Sequence, residues 1–390
     1  MTDDRPVGAG RPLDGIRVVS LAEQYPGPFA TMILADLGAD VVLVERPGGG
    51  DPTRRFPGHF AALNRNKRSL AVDLKDPTGA EVLERLVQRS DVLVEGFRPG
   101  VMEKLGFGPD ELRNRHPGLV YCSISGYGHS GPLSRRGGHD LSIQAMAGFV
   151  QGDLDPEPAP LPLADLSSAM FAAVGVLGAL VERARTGDGC RVDVGMLDSL
   201  LAWRSVDLVS SLNGLAPSPY PPEDPGYGVF KTATGERVAL SIAGEDHQWA
   251  ALCEELGLHG LAGDSTRKRE GAKRALQARL REAIARRPWS SLAAALEARG
   301  VGFNIVNDDD MVARDPQVVA RDMLRFVDDG SGLVATRHPV VYDGRPTSIP
   351  SGVPLLGEHS VAVLIEVGYS NEEATELLGS GVVVSGGPHA

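Results

Sequence analysis

Asp165 is the first residue whose type and position suit chemistry. It stands at the start of a long apolar segment rich in small residues, from Ala164 to Arg185. An aspartate in such a place commonly caps a helix, and it can also act as a nucleophile or in proton transfer. One side chain can do both, so the pattern leaves the two roles open.

His139 and Asp140 form a second candidate catalytic pair, directly after two glycines. They open a predicted helix, DLSIQAMAGF, where Asp140 could simply be a cap. Histidine suits general acid–base catalysis, although an isolated histidine is more often structural. No G-x-S-x-G segment is present, so a serine hydrolase is not expected.

The stretch from residue 46 to 75 concentrates positive charge. It holds seven basic residues against two aspartates, in a chain whose formal net charge is −12. Such a local excess suits a phosphate-rich ligand, and a solvated basic face is the plainer alternative. The seven are Arg46, Arg54, Arg55, Arg65, Lys67, Arg68 and Lys75.

Arg46 has the most informative context of these, because it follows a predicted strand and precedes three glycines. That order places it at the carboxyl edge of a parallel sheet, where nucleotides usually bind. The segment after the first predicted strand, EQYPGPFATM, has one glycine and no G-x-G-x-x-G motif. The pyrophosphate-binding turn of nicotinamide dehydrogenases is therefore missing.

The elements that must position these residues alternate between strands and helices. Short runs rich in β-branched residues predict five strands, with helical periodicity between them. Between the first two strands, Pro28 suits a helix first turn and Gly38 suits a left-handed helix end. The pattern predicts an α/β protein with a mostly parallel sheet. The predicted strands are Ile16 to Leu21, Val41 to Glu45, Ser69 to Leu74, Asp91 to Phe97 and Leu119 to Ser125.

The chain is long for one domain at 390 residues, so two domains are expected. A proline-rich stretch from Leu215 to Gly228 precedes hairpin-like strands and amphipathic helices. We expect a large domain over residues 1–215 and a small domain over 228–325. Residues 326–390 are expected to be a linker and then to return to the large domain.

The bulk composition excludes several classes of protein. The negative net charge repels nucleic acid and anionic lipid. The separated Cys122, Cys190 and Cys253 indicate buried thiols in a reducing compartment, with neither a disulfide scaffold nor a metal site. The first residues do not resemble a signal segment, and no apolar run of about 18 residues is seen. A soluble, cytoplasmic protein without a membrane segment is predicted.

Together these segments resemble the family III CoA-transferases (CaiB/BaiF proteins), a group that includes formyl-CoA transferase, carnitine-CoA transferase and α-methylacyl-CoA racemase. The similarity runs from about Leu13 to Val384. The matching segments are LDGIRVVSLAEQYPGPFATMILADLGADVVLVERPGGGDP, LNRNKRSLAVDLKDPTG, DVLVEGFRPGVMEKLGFG, LVYCSISGYGHSGP, GGHDLSIQAMAG, PLADLSSAM and PLLGEH.

The resemblance implies a large Rossmann-like parallel-sheet domain built from both chain ends, a smaller α+β domain, and an interlocked-ring homodimer. It implies acyl-CoA and carboxylic acids as substrates, with no permanently bound cofactor and no metal. It also implies a coenzyme A site lined by Tyr25, Pro26, Arg46, Val72, Lys75, Gly96, Phe97, Arg98, Lys104 and Gly137.

For the transferases of the family, the resemblance implies that Asp165 attacks the acyl-CoA carbonyl. An anhydride and CoA thiolate form, and the thiolate then takes the aspartyl group before an acceptor acid enters. Backbone N–H groups at the helix start are expected to stabilise the oxyanions. The run from Leu166 to Ser168 is nearer to the transferases than to the racemases, which have three glycines there. Because family members of this kind are mostly CoA-transferases and the DLSSAM run agrees, we expect a CoA-transferase.

Two alternatives stay open. In the racemases, the residues matching His139 and Asp165 exchange the α-proton through an enolate, and the residue matching Glu245 orients the histidine. Glu245 could equally be an exposed acid at a helix start. The other alternative is a non-catalytic CoA-binding protein in which Asp165 is only a cap. The substrate wall is expected from the loops at Phe149 to Pro162 and Leu212 to Tyr227. The glycine-rich lid loop of formyl-CoA transferase has no counterpart in the segment SPYPPEDPGYGVF.

Overall fold

The structure, a computed structural model, describes residues 11–150, 161–216 and 221–386. The polar amino terminus, most of the predicted wall loop from Phe149 to Pro162, and part of the proline-rich stretch lie outside these ranges. The described residues form two compact units. One comprises the chain up to Ser205 and again from Arg321, and the other is Val206–Ala320. The predicted divisions, after residues 215 and 325, lie farther along the chain than these two.

The large unit is built around a seven-stranded sheet. Its strands are β1 (Arg17–Ser20), β2 (Asp40–Glu45), β3 (Lys67–Val72), β4 (Val92–Glu95), β5 (Val120–Ser125), β6 (Arg191–Gly195) and β14 (Val383–Val384). The order is β14-β3-β2-β1-β4-β5-β6, parallel throughout except for β14. The five predicted strands are β1 to β5, with ends shifted by one or two residues. Because β14 comes from the carboxyl-terminal part, the predicted Rossmann-like domain built from both chain ends is confirmed.

The remaining strands form small antiparallel sheets. They are β7 (Tyr227–Lys231), β8 (Arg237–Ser241), β9 (Phe303–Ile305), β10 (Leu324–Phe326), β11 (Val334–Thr336), β12 (Val341–Tyr342) and β13 (Arg345–Pro346). The first three pair in the order β7-β8-β9 within the small unit, and β10-β11 and β12-β13 are two-stranded ribbons. The predicted hairpin after the proline-rich stretch is β7-β8.

Helices surround these sheets. In chain order, those before the small unit are α1 (Pro26–Asp36), α2 (Pro57–Asn64), α3 (Pro77–Gln88), α4 (Val101–Lys104), α5 (Pro109–Arg115), α6 (Asp140–Met146), α7 (Leu163–Thr186) and α8 (Met196–Trp203). They are followed by α9 (Ser205–Leu212), α10 (Asp246–Glu255), α11 (Thr266–Gly271), α12 (Lys273–Ile284), α13 (Trp289–Ala298), α14 (Asp309–Arg314) and α15 (Pro316–Ala320). The large unit resumes with α16 (Ser360–Glu366) and α17 (Asn371–Gly379), and short 3₁₀ turns occupy Pro52–Arg55 and His259–Leu261.

The main sheet is covered on both faces, which explains why its strands read as continuous apolar runs. Successive side chains point to opposite faces, so Val18 and Val92 enter one core while Val19 and Leu93 enter the other. One core includes residues of α1 and α7, and the other includes residues of α3, α16 and α17. The carboxyl-terminal helices are thus part of the same hydrophobic structure as the first strands.

Helix α7 crosses one face of the sheet and packs against α1, β5 and β6. Four of its alanines are buried in this core, which lets the helix approach the strands closely: Ala169, Ala172, Ala173 and Ala179. We expected a helix buried against its neighbours, but Val174 and Val181 are 59% and 65% exposed. By length and composition alone α7 could cross a membrane, and the core helix of a soluble protein passes the same test.

The small unit has its own core. Trp249 and Leu252 of α10 pack with residues of β7, β8, α12 and α13. The fully buried guanidinium of Arg269 pairs with the Asp224 carboxylate at 2.8 Å and also contacts Asp246. A buried cation of this kind needs such partners, because desolvation without them is costly.

Candidate active site

A cavity of about 910 Å³ opens at the carboxyl edge of the main sheet. The strand order reverses between β1 and β4, and loops after these two strands line the cavity together with the segment after β5. A crevice at such a reversal is where open α/β sheets bind ligands. The start of α7 contributes Asp165 to the lining.

Asp165 does not cap its helix. The N-cap position of α7 is Pro162, and Asp165 is the third residue of the first turn. Its side chain lines the cavity, and within the described residues no hydrogen bond engages its carboxylate. The interpretation of Asp165 as the N-cap of this helix is therefore wrong. That interpretation would have given Asp165 a purely structural role.

Asp140 does the capping instead, and it does so from a different helix. Its Oδ1 accepts hydrogen bonds from the backbone N–H of Ala164 at 2.7 Å and of Asp165 at 3.3 Å. Its Oδ2 is held by the side-chain amide of Gln144. The sequence interpretation had Asp140 as a possible cap of α6. In fact it fastens the start of α7 to α6, and it satisfies two N–H groups that a helix start otherwise leaves without partners.

The expected oxyanion donors at this helix start are already engaged. The N–H groups of Ala164 and Asp165 bond to Asp140, and that of Leu166 bonds to the carbonyl of Pro162. These three groups cannot serve a substrate oxyanion without giving up their present acceptors. The expectation that they stabilise oxyanions is not supported by this geometry.

The Asp165 carboxyl sits in an environment that disfavours its charge. Burial, and after it the negative charge of Asp140, raise the pKa of Asp165 to about 7. Tyr25 lies close enough that the Asp165 charge, after burial, also raises the pKa of the Tyr25 phenol. A carboxylate with a pKa of this kind is a typical feature of a functional site.

His139 lies in the same cavity as Asp165. It is the N-cap residue of α6, where its backbone N–H donates to Ser142 Oγ at 3.2 Å. Its ring is exposed. The structure thus brings together the two residues that the racemase interpretation requires.

Glu245 belongs to the small unit, at the N-cap of α10. Its carboxylate accepts a hydrogen bond from the backbone N–H of Ala243 at 2.7 Å, and this bond lowers the pKa of Glu245. Those contacts are the ones expected of an acid at a helix start.

The residues predicted for coenzyme A binding divide into two groups. Those that line the cavity are Tyr25, Pro26, Gly96, Phe97, Arg98 and Gly137. Of the remaining four, Arg46, Lys75 and Lys104 are exposed outside the cavity lining, and the Val72 side chain is buried in the core. Only the backbone of Val72 could therefore reach a ligand.

Most of the basic stretch is used within the protein. Arg54 pairs with Glu45, Arg65 with Asp36, and Arg68 with Asp40 and Glu366. Lys67 is buried and donates to the Pro28 carbonyl and to Asn64 Oδ1. Among the seven, only Arg46, Arg55 and Lys75 are exposed, so the ligand surface predicted from this stretch would rest on these three.

The buried Asp51 side chain anchors the loop after β1. Its Oδ2 accepts the backbone N–H of Gln24 at 3.0 Å, and its Oδ1 accepts from the backbone N–H and the hydroxyl of Thr53. Gln24 has a φ of 70°, a conformation that a residue other than glycine rarely adopts. Asp51 therefore holds the strained residue that directly precedes Tyr25.

The sequence did not indicate two charged residues of the cavity, Glu23 and Arg136. Glu23 is half-buried, and its burial raises its pKa. Arg136 precedes the glycine pair before His139. Its position beside a candidate catalytic pair was the signal that could have identified it.

All three cysteines are free, with Cys122 and Cys253 buried and Cys190 only partly so. Within residues 11–150, 161–216 and 221–386, no group of three or more His, Cys, Asp or Glu side chains could hold a metal ion.

The fold and the cavity define a Rossmann-like α/β protein with a largely desolvated carboxyl group at its ligand-binding edge. The profile described as "CoA-transferase family III" matches residues 13–360. The chain belongs to this family, as the resemblance predicted, and it is an enzyme of the CoA-transferase type.

Named relatives agree with this assignment. The chain is 33% identical to a succinate–glutarate CoA-transferase of Agrobacterium fabrum, over 93% of this chain and 98% of the relative. It is 34% identical to an acetyl-CoA:oxalate CoA-transferase of Acetobacter aceti, over 93% and 97%. The crystal structure of a CaiB/BaiF family protein from Brucella suis superposes with a TM-score of 0.81 at 32% identity, covering 92% of this chain and all of that one.

Proposed function

We propose that this enzyme transfers CoA from an acyl-CoA to a carboxylic acid through a covalent intermediate on Asp165. The observation that carries the proposal is the position of Asp165, which faces the cavity and leaves the capping of α7 to Asp140. A carboxylate spared from structural hydrogen bonds can form a bond to carbon, and burial makes it a stronger nucleophile when it is ionised.

The exchange divides into four steps that balance without a proton donor. The Asp165 carboxylate attacks the acyl-CoA carbonyl and expels CoA thiolate, leaving a mixed anhydride. The thiolate attacks the aspartyl carbonyl of that anhydride, which gives an aspartyl-CoA thioester and releases the first acid. The acceptor carboxylate attacks this thioester and expels the thiolate again. The thiolate finally attacks the acceptor's acyl carbon, which frees Asp165 and forms the new acyl-CoA.

We propose short dicarboxylic acids as the acceptor acids. The names of the Agrobacterium and Acetobacter relatives contain succinate, glutarate and oxalate. The cavity supports this choice by placing two arginines, Arg98 and Arg136, in the same lining as Asp165.

The proposal is tested by incubating the enzyme with a panel of acyl-CoAs and acids, followed by mass spectrometry. Wild-type enzyme is expected to form exchanged thioesters, and hydroxylamine is expected to trap an acyl hydroxamate at Asp165. Asp165→Asn, which preserves the shape of the side chain, is expected to lose transfer by at least about a thousandfold. Full activity of Asp165→Asn would instead support a CoA-binding protein or another nucleophile.

A racemase is the second candidate, because His139 and Asp165 line one cavity. A racemase would exchange the α-proton of a 2-methylacyl-CoA with D₂O in the absence of an acceptor acid. His139→Ala would abolish that exchange, and it would only weaken a transferase. Exchange without acceptor, together with no hydroxamate at Asp165, would replace the transferase proposal by this one.

A further inference from the structure

Arg98 and Arg136 bring two guanidinium groups to the cavity lining. Both residues are exposed, and in the part of the chain that the structure describes neither side chain forms an ion pair or a hydrogen bond. Arg54, Arg65 and Arg68, by contrast, are all paired with carboxylates. Cations left without an internal partner in a cavity are suited to binding an anionic ligand.

Arg136 is tied to the reactive end of the cavity. It lies three residues before His139, and the adjoining Asp140 holds the start of α7, which carries Asp165. A ligand group bound by Arg136 would therefore be positioned relative to α6 and α7 together.

Arg98, in the loop after β4, lies against Gly137, the residue that follows Arg136. A Cβ atom added to Gly137 would lie only 2.6 Å from Arg98 Nη2, so glycine leaves room for the guanidinium over the backbone. Arg98 is also one of the residues predicted for coenzyme A. Arg136 has no such predicted role, and it is the cation available to the second substrate.

The charge of Arg136 is separate from that of the reacting carboxyl. Burial and the Asp140 charge act on the Asp165 carboxyl, and no arginine contributes to lowering its pKa. Arg136 forms no ion pair with Asp165 among the described residues, so its charge is left for a ligand. A molecule with two carboxylates could react at one and be held at the other.

We propose that Arg136 binds the carboxylate of the acceptor acid that does not react, and that this contact selects dicarboxylic over monocarboxylic acids. The inference rests on the proposed function. The bound carboxylate takes no part in the four bond-exchange steps and remains ionised throughout. Its role is to place the reacting carboxylate of the acceptor at the Asp165 thioester.

The test compares acceptors of equal length with acetyl-CoA as the donor. The acceptors are succinate against butyrate and glutarate against valerate. The variants of the full-length enzyme are Arg136→Gln, Arg136→Lys and Arg135→Gln. Arg135 is the matched control, because it is an exposed arginine next to Arg136 that does not line the cavity.

Wild-type enzyme is expected to prefer each dicarboxylate by at least about tenfold in kcat/KM. Arg136→Gln should remove the preference by raising KM for the dicarboxylate about ten- to a hundredfold, as for the loss of a charge-assisted hydrogen bond. The KM for acetyl-CoA should stay the same. Arg136→Lys should recover part of the loss, and Arg135→Gln should behave as wild type.

Equal use of both acceptors by the wild type would overturn the inference while leaving the transferase proposal intact. A rise in the KM for acetyl-CoA in Arg136→Gln would also overturn it, because Arg136 would then serve the CoA phosphates. If wild-type enzyme transferred CoA to no acid and formed no Asp165 hydroxamate, the proposed function would fail first and the inference with it.

Discussion

Asp165 combines two properties that oppose each other. Its side chain must be ionised to act as a nucleophile, yet burial and the neighbouring Asp140 both favour the neutral form. The cavity therefore holds a carboxyl group that titrates near neutral pH, where a small change in its surroundings changes the fraction that can react.

We predict that the kcat/KM for acyl-CoA falls as the pH drops below about 7, since protonated Asp165 cannot attack. Initial rates between pH 5.5 and 8.5 measure this limb. In Asp140→Asn the limb should move to lower pH, because one cause of the raised pKa is gone while the amide oxygen can still accept from Ala164. A profile that is flat through pH 7 in the wild type would contradict the assignment of Asp165.

The same titration has a consequence for stability. Folded Asp165 has a pKa of about 7 against 3.8 for the free group, so the native state binds more protons between these values and stability falls as the pH rises through them. Above pH 7, Asp165→Asn should therefore have a larger free energy of unfolding than the wild type. The expected difference is a few kcal/mol, because each pKa unit corresponds to about 1.4 kcal/mol. Denaturant melts at pH 4 and pH 8 measure the difference, which should nearly vanish at pH 4. An equal effect at both pH values would point to packing instead of charge.

The predicted site residues that line the cavity are those whose position follows from local chain order. Tyr25, Phe97 and His139 follow strands or open helices, and the carboxyl edge of a parallel sheet collects such positions. The partners were not predictable in this way. Nothing local to Lys67 indicates that Asn64 and the Pro28 carbonyl would bury it, and nothing local to Asp140 indicates a helix that begins 23 residues later.

At the scale of elements, a buried acceptor, Asp51, helps to hold the loop after β1. Asp51 receives the Gln24 N–H, and Glu45 in turn receives the Asp51 N–H while Arg54 pairs with Glu45. This chain of contacts runs from the end of β2 to the loop that carries Tyr25. Its function is to hold a backbone conformation that would otherwise relax.

Asp51→Ala should leave the N–H groups of Gln24 and Thr53 without acceptors and cost about 1–3 kcal/mol in the free energy of unfolding. It should also raise the KM for acyl-CoA severalfold, because the loop beside the cavity loses its anchor. Ser370→Ala is the control: it removes the N-cap of α17, which does not line the cavity, and should cost about 1 kcal/mol without changing KM. A KM that stays at the wild-type value in Asp51→Ala would limit Asp51 to a structural role.

The elements themselves were largely predictable because strands buried on both faces read as apolar runs whatever lies around them. The predicted run from Ala164 to Arg185 matched α7 to within one residue at each end. The expected burial of this helix on all sides was not found. An apolar side of a helix has the same composition whether it faces the core or another chain, so the sequence could not distinguish the two. The exposed Val174 and Val181 belong to the side that the pattern could not assign.

At the scale of the whole molecule, we propose that this exposed side packs against a second copy of the chain in the interlocked homodimer that the resemblance implied. An apolar surface on α7 is exposed to solvent, which is unfavourable in a monomer; it consists of Met170, Phe171, Val174 and Val181. We predict that sedimentation equilibrium gives twice the chain mass of 41.2 kDa. Since threaded rings cannot separate while folded, mixing two differently tagged preparations should yield no mixed dimers until the protein is unfolded and refolded. A monomer, or free exchange of subunits, would contradict the proposal.

The pairing of β14 with β3 has a consequence for how the chain is made. Val383 and Val384 cover the outer edge of β3, and Val363, Leu364 and Leu377 complete the core beneath it. During synthesis, a nascent chain that contains only the first five strands therefore has a sheet with an unpaired edge and an incomplete core. Unpaired edges attract other strands, so nascent or truncated chains lacking residues 360–384 should aggregate or be retained by chaperones.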